Sequence, residues 1–336
     1  MEGRYYGFAE YCRKEYGRRL SRIALDAGMT CPNRDGTAGT GGCIFCSGGS
    51  GDFAVPYFGQ KMTREDFSWY HGKAADGDFI AYFQAYTNTY ASIEKLKRLY
   101  SAALSDSMFA GISIATRPDA MGTPVMELLG ELKERYPSKF IWIELGLQTA
   151  SDETAELIRR GYKTEVYTDC AAELRRRGIP LITHMILGLP GENREDWRRT
   201  VELINRVGSS GVKLQLLHVL RGTELAARYE SRKLLSEIEK KEGPSYEVLS
   251  MEEYVAGTAE MIAYLCPDIV IHRLTGDGNP EELLAPLWSR DKKRVLNAIR
   301  SRLKSEGLYQ GLWATVPASE KEGGKESILT NECGTA

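Results

Sequence analysis

TCPNRDGTAGTGGCIFCSGGS, residues 30–50, sets three cysteines, Cys31, Cys43 and Cys46, in one glycine-rich loop. Cys43 and Cys46 form a C-x-x-C turn, and Cys31 lies upstream across a gap of eleven residues that holds Gly36, Gly39, Gly41 and Gly42. Glycine takes positive φ without a steric penalty, so such a loop can wrap tightly and turn several thiolates toward one centre. Structural zinc normally closes four ligands, and no fourth is adjacent. The nearest histidine is His71, and Cys12, Cys170, Cys266 and Cys333 are scattered singly. Three thiolates with an open position suit a [4Fe–4S] cluster that leaves one iron free. The loop by itself also admits a zinc site completed by a distant residue, or no metal at all.

Outward from the loop, the chain alternates strands and helices. RIALDAG (22–28) reads as the strand that delivers the loop, preceded by a short tyrosine- and arginine-rich helix within 1–20. After a less regular stretch with Trp69, Tyr70 and His71, strands are expected at 78–90, 109–119, 139–149, 179–192 and 211–225. Helical periodicity separates them at 92–104, 123–136, 152–160, 165–177 and 195–207. Such repetition implies a parallel sheet with helical crossovers. About six strands in this rhythm fit a closed or partly open barrel, with a doubly wound sheet as the alternative. Polar residues gather at the strands' C-terminal ends: 84–89, 116–119, 144–149, 184–192 and 218–223. Barrel active sites are built at that rim. After Tyr229 the pattern breaks into a helix at 251–265, a strand and turn at 268–278, and a basic helix at 289–306.

Composition narrows the class. With 336 residues, 42% hydrophobic and 27% charged, the chain reads as a soluble globular protein. It has no run of eighteen apolar residues and no apolar signal-peptide core at its start, so a cytoplasmic location and no membrane partner are expected. Seven cysteines without framework spacing argue against a disulfide scaffold. A net charge of -2 excludes a globally basic nucleic-acid binder, although RDKKRVLNAIRSRLK (290–304) carries seven basic residues against one acidic. GTGG at 39–42 is not followed by a helix with a lysine, so it is not a phosphate loop, and no G-x-G-x-x-G opens a βαβ unit.

CPNRDGTAGTGGCIFC, FQAYTNTYA, ISIATRPD, IELGLQT, HMILGLPGE and HRLTGDG together resemble the radical SAM superfamily. More narrowly they look like its YhcC/YtqA group, related to the radical SAM domain of the Elongator catalytic subunit. The match runs from position 22 to about 310. The superfamily's commonest loop is C-x-x-x-C-x-x-C, and the longer first gap here is a feature of this subgroup.

The resemblance implies an α/β fold, a partial (β/α)6 barrel of the radical SAM type with a C-terminal helical extension. It divides the chain into an N-terminal extension (1–21), the barrel (22–230), a C-terminal extension (231–312) and a disordered tail (313–336). It implies that Cys31, Cys43 and Cys46 hold a [4Fe–4S] cluster whose fourth iron chelates S-adenosyl-L-methionine. One electron then yields methionine and a 5′-deoxyadenosyl radical that takes a hydrogen atom from an unactivated C–H bond.

The resemblance also implies further cofactor contacts. Gln84 and Tyr86 would meet the methionine moiety, Thr116 and Arg117 its carboxylate, and Glu144 and Gln148 the ribose. The strand edge from His184 through Ile186 to Gly188 would line the adenine. The residues leave a plainer reading open, in which Gly188 ends a strand and His184 is a satisfied core histidine. The expected substrate is tRNA, at the C5 side chain of the wobble uridine, with carboxymethylaminomethyl converted to aminomethyl. The electron donor would be a flavodoxin or ferredoxin. A small-molecule or protein substrate, or a non-catalytic zinc-stabilised RNA-binding module, are the alternatives.

Overall fold

Each strand carries two different faces, and that difference places both the core and the site. A computed structural model of the protein describes residues 3–47, 54–67, 77–84, 86–239, 248–276 and 280–315. The first half runs α1 (Phe8–Tyr16), β1 (Ser21–Asp26), β2 (Val55–Pro56), β3 (Phe79–Phe83), α2 (Ile93–Ser105), β4 (Phe109–Thr116), α3 (Thr123–Arg135), β5 (Phe140–Gln148), α4 (Asp152–Leu157) and α5 (Thr164–Arg176). The second half continues with β6 (Leu181–Leu187), α6 (Arg194–Arg206), β7 (Gly211–Leu216), β8 (Val219–Leu220), α7 (Glu224–Glu239), α8 (Met251–Tyr264), β9 (Val270–Arg273), β10 (Leu283–Ala285) and α9 (Lys292–Ser305).

Among the described residues eight strands make one parallel sheet in the order β2-β1-β3-β4-β5-β6-β7-β9, and β8 pairs with β10 antiparallel. The sheet curls far enough for its two sides to touch. Arg22 on β1 hydrogen-bonds His272 on β9 at 2.5 Å, and Lys213 on β7 reaches the Tyr82 hydroxyl on β3 at 3.0 Å. The expected α/β fold and partly open barrel are therefore present. The alternation read from the sequence stops near Tyr229, yet the sheet does not. β9 adds parallel to β7 through Gly211↔Val270 and Val212↔Ile271, so part of the 231–312 stretch is built into the barrel.

Residues facing the helices form the main core: Ile112 and Ile114 on β4, Ile143, Leu145 and Leu147 on β5, Met185 and Leu187 on β6, Val212 and Leu214 on β7. Period-two alternation sends their neighbours inward. The lowest inward layer is apolar, with Ile80, Trp142 and Ile182 closed from below by α1 through Cys12, Phe8 and Tyr11. Phe8 meets Trp142 edge to face at 6.2 Å, and the Arg22 guanidinium lies 4.1 Å from the Phe8 ring centre. The N-terminal helix thus plugs the barrel floor. Helix starts are fixed locally: Asn193 with Asp196, and Ser250 with Glu253, form capping boxes for α6 and α8.

The stretch around Trp69, Tyr70 and His71 lies outside the described residues, as do Cys333 and positions 316–336 of the expected tail. Trp313 is described and belongs to the body: its backbone N–H donates to Ala263 O at 2.8 Å, and its ring packs 5.2 Å from that of Tyr264.

Candidate functional site

The cysteine loop closes through its own backbone. Arg34 and Asp35 donate their N–H groups to Cys31 O at 2.8 and 3.2 Å, and Cys46 N–H donates to Cys43 O at 3.0 Å. Gly36, Gly41 and Gly42 sit at φ 96°, 79° and 86°, and a Cβ on Gly42 would come within 2.9 Å of Arg34. Those positions require glycine. Between the two paired cysteines, Ile44 is 2% exposed and enters a small apolar cluster with Ile158, Leu189, Leu217 and Leu225. Its N–H donates to Ile158 O at 3.1 Å, and its carbonyl accepts from Leu225 N–H at 2.8 Å. One side chain and two backbone bonds therefore hold the loop over the barrel rim.

Beneath the loop lies a cavity of about 300 Å³ lined by Cys31, Cys43 and Cys46 on one side. The strand ends supply Thr116, Arg117, Glu144, Gln148, His184 and Ile186 on the other, with Tyr86 between. Seven of the nine residues expected at the cofactor are thus gathered with the cysteines. Gln84 and Gly188 are not. Gln84 donates its backbone N–H to Leu25 O at 3.2 Å, and a Cβ on Gly188 would meet Leu249 at 3.0 Å, so a leucine covers that position.

Arg117 is committed to the framework. It makes a bidentate pair with Asp119 at 2.9 and 2.7 Å, donates to Arg160 O at 2.8 Å, and lies 4.7 Å from the Tyr162 ring centre. The Thr116 hydroxyl is hydrogen-bonded to that of Thr89 at 2.5 Å. Sequence reasoning missed Arg34, Phe45, Arg160, Tyr162 and Gln215, all of which line the cavity. The signal available for Gln215 was its place as a polar residue inside the apolar run KLQLL.

Two lining residues hold strained backbone. Tyr86 and Gln148 have φ of 60° and 58°, a left-handed conformation that costs a residue with a Cβ about 1–2 kcal/mol. Such outliers persist where the surroundings over-determine them, and they cluster at functional sites.

Below the cavity the inward-facing layer is ionic. Glu144, 1% exposed, accepts from Ser113 Oγ at 2.7 Å, from His184 Nε2 at 2.7 Å, and from the Lys213 ammonium. Burial alone would push the Glu144 carboxyl up, but Lys213 and the His184 hydrogen bond outweigh it and hold it well below the usual range. Burial, reinforced by Lys213, pulls His184 down, so its imidazole is neutral and Nε2–H donates to the carboxylate. His184 is a satisfied histidine that also faces the cavity. Burial and Arg22 likewise hold His272 well down, since a guanidinium donating to Nδ1 needs a lone pair there.

Both histidines therefore resist protonation in the fold. Below an unfolded value near 6.5 the unfolded chain binds more protons than the folded one, so stability is lost as pH falls. From the two histidines, unfolding free energy is expected to fall as pH drops from about 7 to about 5.5, while Glu192, whose carboxyl burial pushes up to about 7, acts in the opposite sense; urea titrations at each pH on the wild type and on Glu192→Gln separate the two. The Glu144 contribution disappears only below the ordinary carboxylate range, outside that window. A urea midpoint that does not move with pH in the Glu192→Gln variant would contradict neutral histidines.

The residues present fit an iron–sulfur cluster. Among the described residues no group of His, Cys, Asp or Glu is gathered to hold a single metal ion, yet three thiols line one cavity. A cubane takes one thiolate per iron, so its ligands stand apart. Burial, with Cys46 and Cys31 adding to it, pushes the Cys43 thiol up to about 12, so thiolate at this position calls for the positive charge of bound iron.

A parallel partial barrel with three loop cysteines over its C-terminal rim defines a cluster-dependent enzyme class. Residues 35–204 match the family model of the radical SAM superfamily, and 209–305 match that of the radical SAM C-terminal domain. The chain belongs to the radical SAM superfamily, in the group of YtqA and YhcC, and its cofactors are a [4Fe–4S] cluster and S-adenosyl-L-methionine. YtqA of Bacillus subtilis (strain 168) is 40% identical over 313 residues, covering 92% of both chains. YhcC of Escherichia coli (strain K12) is 34% identical over 296 residues, 88% of this chain and 91% of that one. A solved structure of the archaeal Methanocaldococcus infernus Elp3 with an N-terminal deletion superposes with a TM-score of 0.63 at 16% identity, over 87% of this chain. This chain spans 65% of that one. A shorter stretch of 86 residues, 25% of this chain and 19% of its relative, is 38% identical to the tRNA-2-methylthio-N(6)-dimethylallyladenosine synthase of Moorella thermoacetica.

Proposed function

We propose that this radical SAM enzyme modifies tRNA, acting on the C5 side chain of the wobble uridine and converting carboxymethylaminomethyl to aminomethyl. The observation that carries the substrate class is the solvent face of α9. Lys292, Lys293, Arg294, Arg300 and Lys304 are exposed there, while Val295, Ile299 and Leu303 bury against α8. Clustered lysine and arginine are what phosphate contacts need. The stretch shared with a tRNA-modifying relative supports the same class, and the resemblance to the Elongator catalytic subunit motivates the position within tRNA. A cytoplasmic location, with a flavodoxin or ferredoxin as electron donor, completes the reading. Among the described residues no helix is long and apolar enough to cross a membrane.

Within this reading Cys31, Cys43 and Cys46 would hold the cluster. Cluster and S-adenosyl-L-methionine together supply hydrogen-atom abstraction from an unactivated C–H bond. The chain's own residues bind and orient. Arg117 and Arg160, 4.7 and 4.6 Å from the Tyr162 ring centre, form a stiff wall of the cavity. Phe45 and Ile186 give it apolar surface, and Gln148, Gln215 and Tyr86 offer polar groups that orient a bound molecule.

The test is anaerobic 5′-deoxyadenosine formation with reductant and S-adenosyl-L-methionine, with and without bulk tRNA. Stimulation by tRNA supports the substrate class, and nucleoside mass analysis then names the position. Cleavage indifferent to tRNA would overturn it and favour a small-molecule or protein substrate. Charge reversal of Lys292, Lys293 and Arg294 to Glu is expected to weaken tRNA binding and to make the slope of log K against log salt shallower by about 2 to 3 units. An unchanged salt titration would remove α9 from the interface.

A further inference from the structure

Asn33, itself in the cluster loop, turns its side-chain amide toward one of the loop's cysteines. It is 5% exposed, and its Nδ2 lies 3.7 Å from Cys43 Sγ and 2.7 Å from Arg159 O. A carbonyl oxygen can only accept, so the amide nitrogen must face Arg159, and this fixes which way round the side chain sits. With one N–H spent on that carbonyl, the other points at the sulfur.

The surroundings are shaped to keep it there. A methyl group on Gly39 would come within 2.4 Å of Asn33 Oδ1, and one on Gly161 within 2.8 Å, so two glycines leave room for the amide oxygen. Arg159 takes φ 53° and Gly161 φ 83°, a turn that presents the Arg159 carbonyl to Asn33. The same turn is tied to the loop by Ile44 N–H donating to Ile158 O, and to α7 by the ion pair of Arg159 with Glu224.

We propose that Asn33 is a positioning residue that donates a hydrogen bond to the Cys43 thiolate and thereby raises the cluster's reduction potential. Hydrogen bonds to cluster sulfurs are among the determinants of that potential. Adding one electron increases the negative charge shared by iron and sulfur, so an N–H donor stabilises the reduced state more than the oxidised one. Removing the donor makes reduction harder.

The experiment needs no substrate, so its outcome is independent of the tRNA reading. Wild-type protein grown with 15N-asparagine is reconstituted and reduced with dithionite, and its cluster signal is examined by electron–nuclear double resonance. A 15N coupling is expected, and it should vanish in Asn33→Ala. Its absence from the wild type overturns the proposal whether or not any variant holds a cluster.

Mediated redox titration of Asn33→Ala and Asn33→Asp, each loaded to wild-type iron content, then reads the consequence. At the wild-type midpoint the reduced-to-oxidised ratio is expected to fall about tenfold, which is about 59 mV for a one-electron couple. Asn33→Ala separates loss of the donor from the added charge of the aspartate. A ratio unchanged in the alanine variant overturns the proposal, because a merely structural asparagine would alter cluster retention without moving the potential.

Discussion

Replacing Cys43 with alanine is expected to abolish reductive cleavage of S-adenosyl-L-methionine, with 5′-deoxyadenosine falling below detection, while the apo-protein stays folded. Two thiolates cannot hold three irons of a cubane, and among the described residues no further cysteine lines the cavity. The other described cysteines, Cys12, Cys170 and Cys266, are not among the residues lining the cavity, and Cys12 belongs instead to the apolar plug beneath the barrel. The loop itself does not depend on the sulfur. Ile44 remains in its apolar cluster, and the bonds from Ile44 to Ile158 and from Leu225 to Ile44 are backbone bonds that alanine keeps. Loss of one half-buried sulfur should cost about 1 kcal/mol in the apo state. Iron content, product formation and apo-protein melting together check this, and a variant that retains iron and cleavage would refute the three-thiolate site.

Lys213→Met is expected to destabilise the protein by about 3–5 kcal/mol, the second large effect. Lys213 and Glu144 are each 1% exposed and paired inside the barrel, and the lysine also meets the Tyr82 hydroxyl. Removing the cation leaves a carboxylate that burial pushes up, held by hydrogen bonds from Ser113, the Tyr82 hydroxyl and a neutral His184. Leaving a buried charge without its partner costs more than the pair itself contributes. The double variant Lys213→Met with Glu144→Gln should therefore recover much of the loss. Urea unfolding of both singles and the double at pH 7 gives the cycle. Strictly additive losses would show that the pair does not act as a unit.

The parallel alternation and the cysteine loop are local properties of the chain. Runs such as FAGISIAT and IELGLQ are short, apolar and separated by helices of 3.6-residue periodicity, so local pattern alone implies parallel strands with crossovers. The loop was legible because three cysteines among glycines within sixteen residues is a local feature. Most cavity residues could be named from strand ends for the same reason: the C-terminal rim follows from strand direction. The pairing of β9 with β7 was not legible, since four residues after a long excursion carry too little periodicity to declare a partner.

The remaining contacts arise from long-range packing. Lys213 reads as one charge in an apolar strand until the curl of the sheet brings it to Glu144, 69 residues away. Arg160, expected at the end of a helix, and Tyr162 just beyond it become a cavity wall through packing against Arg117. Asn33 sits two residues from a cysteine, yet its role depends on a carbonyl 126 residues downstream. Periodicity reports which face of an element is buried. It carries no information on which distant side chain arrives at that face, because that contact is fixed by barrel curvature and by the packing of turns that are remote in sequence.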